Sequence, residues 1–127
     1  MLEIDGHRIS ANRGDVGTFD FKVSPKEGND YYFNAGDSLS FGIYNKKEMN
    51  KDPIFLKEFI VSEPTNIVTI IFENEDLSVG EVSNKPIDYW YEIKLNNQST
   101  LLGYDKSGPK IFTMYPEGAD KDESGID

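Results

Sequence analysis

The chain has 127 residues, no cysteine, and 23 acidic against 13 basic residues, for a formal net charge of −10. That length fits one domain able to bury a core without covalent staples. The missing cysteines exclude disulfides, a thiol nucleophile and a cysteine-ligated metal, and suit folding in a reducing cytoplasm. A surface this acidic repels nucleic-acid phosphates and anionic membranes, so neither is expected as a partner. A basic protein surface is compatible with it, and high solubility is its simplest consequence.

Met1-Leu2-Glu3-Ile4-Asp5 puts acidic residues where an export signal carries a basic region, so no signal peptide is expected. Ile4 to Ile9 reads as a short first strand or arm. Asn12-Arg13-Gly14-Asp15 is turn chemistry. Val16 to Val23 alternates as a strand, with Phe19, Phe21 and Val23 on one face and Thr18, Asp20 and Lys22 on the other. Ser24 to Asp30 breaks it, and Tyr31-Tyr32-Phe33 is a short extended piece. Asn34-Ala35-Gly36-Asp37 is a second Gly-Asp turn. It opens a strand over Ser38 to Asn45 with Leu39, Phe41 and Ile43 inward.

Lys46 to Pro53 is a polar loop whose Lys-Lys-Glu-Met stretch is too short for a stable helix. Ile54 to Val61 sets Phe55, Phe59 and Val61 against Lys57 and Glu58. After a turn at Ser62-Glu63-Pro64-Thr65, Asn66 to Phe72 is β-branched and apolar on both faces, which predicts a central strand. Its apolar run is far too short to span a bilayer. Glu73 to Asp88 is a long segment without strand pattern, hence functional or ordered in its own way.

Tyr89-Trp90-Tyr91-Glu92-Ile93-Lys94-Leu95 is the clearest strand. Tyr89, Tyr91, Ile93 and Leu95 fall on one face, and Trp90, Glu92 and Lys94 on the other. Asn96-Asn97-Gln98 is a hairpin turn. Ser99 to Tyr104 and Lys110 to Tyr115 are the last strands. The expected fold is all-β: an antiparallel β-sandwich, immunoglobulin-like or similar, of about seven to eight strands. Residues 1–115 form its single domain. Residues 116–127 are an acidic tail or linker stub, expected to be disordered.

Chemistry-bearing patterns are sparse. His7 is the single histidine, and no G-x-S-x-G elbow accompanies it, so a surface histidine is the simpler assignment. A zinc site has neither cysteines nor a second histidine to use. Glu73, Glu75, Asp76 and Glu92 are the carboxylates a glycosidase pair would draw on. Glu73-Asn74-Glu75-Asp76 lacks the spacing of a calcium loop. Arg13-Gly14-Asp15 spells an integrin-type tripeptide but fits a turn before a strand. No residue is named as catalytic, no metal ligand is assigned, and no cofactor is implied. The chain is rich in aromatics: eight Phe, seven Tyr and one Trp. Phe19, Phe21, Phe41 and Phe59 are core positions. Trp90, Tyr31, Tyr32 and Tyr104 are the interface or ligand candidates, since Tyr and Trp offer a flat apolar face with a wet polar edge.

Taken in order, the pattern has two Gly-Asp turns that open strands (Arg13 to Phe19, Phe33 to Phe41). Ile54-Phe55-Leu56-Lys57 comes next, then a β-branched strand into an acidic turn (Ile67 to Asp76). Tyr89 to Leu95, Ser99-Thr100-Leu101-Leu102 and the closing Lys110-Ile111-Phe112 complete it. This pattern resembles the N-terminal domain of baseplate upper proteins, and of related tail proteins, in phages and prophages of Gram-positive bacteria. The resemblance covers most of residues 8–115, is strongest at Tyr89 to Leu95, and contains no catalytic motif. It implies a β-sandwich that docks to other tail or baseplate proteins and helps position receptor-binding proteins. The location it implies is a virion tail assembled in the host cytoplasm, and a homo-oligomer is compatible with it. Proteins of that family often continue into a long C-terminal region, whereas this chain ends after a short acidic stretch. The segment Glu73 to Asp88 is also longer than the compact turn the family pattern has.

The resemblance therefore predicts a non-catalytic assembly module. The alternative is a carbohydrate-binding sandwich, which requires two or three of Trp90, Tyr31, Tyr32 and Tyr104 to lie coplanar on one exposed face. A carboxylate-based hydrolase ranks below both.

Overall fold

The computed structural model describes residues 2–23, 31–46, 48 and 50–118. Among these residues there are nine strands and no helix. The strands are β1 (Glu3–Asp5), β2 (Arg8–Asn12), β3 (Gly17–Phe21), β4 (Ser38–Tyr44), β5 (Phe55–Ile60), β6 (Val68–Phe72), β7 (Ile87–Leu95), β8 (Ser99–Leu102) and β9 (Lys110–Tyr115). Seven build one sheet in the order β1-β2-β9-β7-β4-β5, with β8 also on β7, and β3 and β6 pair as a second, two-stranded sheet. The fold is all-β and sandwich-like, as the alternation predicts.

The longest strand organises the large sheet. β7 pairs β4 along Trp90 to Leu95 and β9 along Ile87 to Tyr91. Past the end of β9, β8 takes over the same edge of β7 from Ile93 to Leu95. Tyr89, Tyr91 and Ile93 are buried on the inner face beside Phe112, Phe41 and Ile43. The small sheet lays Phe19, Ile70 and Phe72 against them. Phe41 is the hub: its ring stacks on Tyr91 at 5.2 Å and meets Phe19, Phe72 and Phe112 edge-on at 6.2, 5.3 and 6.3 Å. Offset and edge contacts of this kind add to the burial of the rings themselves.

Several expectations are corrected. Ile4 to Ile9 is not one strand or arm: Gly6 and His7 turn the chain back, so β1 and β2 form a hairpin. β2 runs parallel to β9, so the large sheet is mixed. Tyr31-Tyr32-Phe33 contributes only a bridge from Phe33 to Thr65. Asn66 to Phe72 is not a central strand. β6 pairs with β3 alone and buries Val68, Ile70 and Phe72 while Thr69 and Ile71 face outward. Lys57 lies on the Phe55 and Phe59 side of β5, not on the opposite face with Glu58. The break predicted over 24–30 lies outside the described residues, as do Lys47 and Met49 and positions 119–127 of the acidic tail.

The turns share one device. In Asn12 to Asp15 and in Asn34 to Asp37 the last residue's carboxylate accepts the first residue's N–H at 2.8 and 2.9 Å. Its own N–H returns to the first residue's carbonyl at 3.0 Å in both. The third position carries φ of 86° at Gly14 and 94° at Gly36, a region that favours glycine. Glu73 to Asp76 makes the same pair of bonds without a glycine. The long segment after it is held down. Leu77 is fully buried, and the Arg13 guanidinium donates to the carbonyls of Val79 and Gly80 at 2.7 and 3.3 Å. The Tyr89 hydroxyl accepts the Glu81 N–H at 3.1 Å.

Candidate functional site

The four aromatic candidates do not converge. Tyr31 packs edge-on against buried Phe33 with ring centres 5.0 Å apart, and Tyr32 beside it is exposed. Both lie near the start of β4, where Phe33 bridges Thr65. Trp90 lies opposite Tyr44 at the other end of β4, on the outer face. The 7 residues of β4 separate the two places, a span of roughly 20 Å at the usual rise.

Trp90 and Tyr104 do meet. Their ring centres are 5.4 Å apart and their planes cross at 65°. An edge-to-face pair makes no flat platform, so the coplanar set that a glycan-stacking surface requires is not formed by these four residues. Trp90 is half-buried in a lateral row between Tyr44 and Ile111. Its buried Nε1 meets no acceptor among the described residues. Tyr44 was not foreseen as part of this surface. Gly42 leaves room for its ring, which would lie 3.0 Å from a Cβ added there, and its hydroxyl donates to Glu92 at 2.9 Å. Burial first, then that carboxylate, pushes the Tyr44 pKa up to about 12. A glycine inside a strand is the sequence signal for such a close approach.

Several of the residues with chemical potential are held by the fold. His7 is exposed at the β1–β2 turn, and its carbonyl accepts the Tyr91 hydroxyl. Arg13 serves the carbonyls already named, and the Asp15 carboxylate closes its own turn, so Arg13-Gly14-Asp15 is structural. Asp76 accepts from the Lys57 ammonium at 2.8 Å, with Glu73 3.7 Å from the same nitrogen. Burial alone would raise the Asp76 pKa. The hydrogen bond from Lys57, the Glu73 N–H and the lysine charge together outweigh it and hold the carboxyl below its usual range. Among the described residues no three His, Asp or Glu side chains are grouped as a metal site.

Among the described residues β5 pairs only with β4, and β6 only with β3, so each leaves an open edge. Between them runs an open groove of about 640 Å³ lined by Glu58 to Thr65 and by Ile67, Val68, Thr69 and Ile71. Leu56 and Ile60, on the outer face of β5, are 59% and 63% exposed. Ile67, just before β6, and Ile71 within it add exposed apolar surface. The sequence held a faint sign of this surface: Leu56 and Ile60 are apolar at the same parity as Glu58, on the face opposite Phe55 and Phe59. Scattered exposed apolar residues are ordinary, but a cluster along an unpaired edge is not.

Comparison of the chain with protein-family models, curated proteins and solved structures finds no match.

Proposed function

We propose that this chain is a non-catalytic structural and assembly module of a phage or prophage tail baseplate. In this reading it docks to other tail proteins and helps position receptor-binding proteins. One observation carries the docking part: among the described residues the β5 edge, with exposed Leu56 and Ile60, stands open beside the open edge of β6. Strand edges in monomeric proteins are normally shortened, charged or covered, and an edge left open and apolar suits partner docking. The tail assignment is supported by the likeness of the strand and turn pattern to baseplate upper proteins, which is a matter of pattern alone. The Trp90 and Tyr104 pair supports a glycan reading less well, because the rings are not coplanar.

The test is solution mass by light scattering, for the chain alone and after mixing with proteins encoded by neighbouring genes. A stable complex with a tail or baseplate protein is the expected result. A chain that keeps its own mass with every neighbour contradicts the assignment, and a glycan titration read by the fluorescence of the single tryptophan would then follow.

A further inference from the structure

The pairing register fixes which β5 backbone groups face outward. Val61 donates its N–H to Asp37 at 2.8 Å, in register with the β4–β5 ladder. Hydrogen-bonded pairs alternate along an antiparallel ladder. Phe59, Lys57 and Phe55 therefore bond to β4, whereas the N–H and C=O groups of Ile60, Glu58 and Leu56 point to the open edge. The same three residues carry the exposed side chains of the outer face, in the order apolar, acidic, apolar.

We propose that this edge is a strand-addition site for an extended segment of a partner protein whose side chains run apolar, basic, apolar along one face. The proposal rests on the docking reading above and names its place and its selectivity. Opposite Ile60 and Leu56 the segment presents apolar side chains, and opposite Glu58 a Lys or Arg. Among the described residues, the charged side chains that line the adjoining groove are Glu58 and Glu63, both acidic. Lys57, the nearest cation on β5, turns away to Asp76 and the Ile71 carbonyl.

A second copy of the chain fits poorly. Two β5 edges that meet antiparallel, with outer faces on one side, pair residues of like parity. The two registers of longest overlap then set Glu58 against Glu58 or Lys57 against Lys57. Like charges directly opposite are destabilising. The far edge of the large sheet is a weaker site, because β1 has only 3 residues and flanks Ile4 with Glu3 and Asp5.

The test uses the whole chain, labelled for amide spectra, and end-capped peptides of sequence Thr-Val-Thr-Lys-Thr-Val-Thr. The expected result is a set of shifts centred on the amides of Leu56, Glu58 and Ile60, weakened by salt. Replacing the peptide's Lys by Glu weakens binding about fivefold, as one opposite-charge pair turned to a like pair implies. E58K in the protein reverses that preference, and N-methylating the Val and Lys residues of the peptide abolishes binding. If E58K does not fold, the two peptide charges decide alone. Absence of shifts up to the peptide's solubility limit overturns the proposal. So do undiminished binding of the N-methylated peptide and shifts centred on Trp90 and Tyr104. A neighbour complex that forms and is indifferent to E58K sinks this edge while leaving the docking reading. Peptide binding without any neighbour complex does the reverse.

Discussion

Tyr91 stacks its ring on Phe41 in the core while its hydroxyl reaches out to the His7 carbonyl. Burial pushes its pKa up to about 12, as burial and Glu92 do for Tyr44. Both groups ionise near 10.0 in an unfolded chain. An acid whose folded pKa is raised stabilises the fold fully below the unfolded value, and that contribution is lost as pH rises through the folded one. The urea midpoint should therefore fall as pH climbs from 10 towards about 12. The double variant Tyr44→Phe, Tyr91→Phe should show a shallower fall, read from urea melts across that range. Trp90 belongs to the opposite face of the same strand and has a different weight. Phe41→Ala should cost about 3–5 kcal/mol because it empties the centre of an aromatic cluster. Trp90→Ala, at a half-buried outer position, should cost less, measured side by side in urea. If Trp90→Ala unfolds the domain, the residue is core and the outer-face description fails.

At the scale of elements, period-two alternation was a good guide to faces and a poor guide to neighbours. Leu39, Phe41 and Ile43 of β4, and Tyr89, Tyr91 and Ile93 of β7, all face inward as their alternation requires. The same alternation says nothing about which strand lies alongside. A parallel partner for β2 and an edge position for β6 are tertiary facts, settled by how the turns route the chain. Ile67 and Ile71 made β6 look doubly buried, yet both are exposed. The side taken by Lys57 was legible, because position 57 shares a face with Phe55 and Phe59 by alternation alone, and Asp76 and the Ile71 carbonyl receive its ammonium there. The open β5 edge was illegible because it is a matter of neighbours, apart from the apolar Leu56 and Ile60 beside Glu58. The long segment after β6 is a further case. Its lack of strand pattern left it either functional or partly ordered in its own way, and its order comes from buried Leu77 and from distant Arg13. Arg13→Ala should speed amide exchange at Val79, Gly80 and Glu81 while leaving the β7 amides of Tyr91 and Ile93 protected. Unchanged exchange in that loop would show that Leu77 and Tyr89 hold it unaided.

The whole molecule joins an aromatic core to an open edge at β5. The net charge of −10 adds repulsion between copies of the chain and attraction towards basic surfaces. The seven-stranded sheet is centred on β7, and its margin at β5 is bordered by acidic and apolar side chains. The most direct measurement is residue-resolved amide exchange along β5 in the free chain. Rapid exchange at Leu56, Glu58 and Ile60, alternating with slow exchange at Lys57 and Phe59, is the predicted result. Uniform protection across Phe55–Ile60 would contradict it, because the edge would then already be covered.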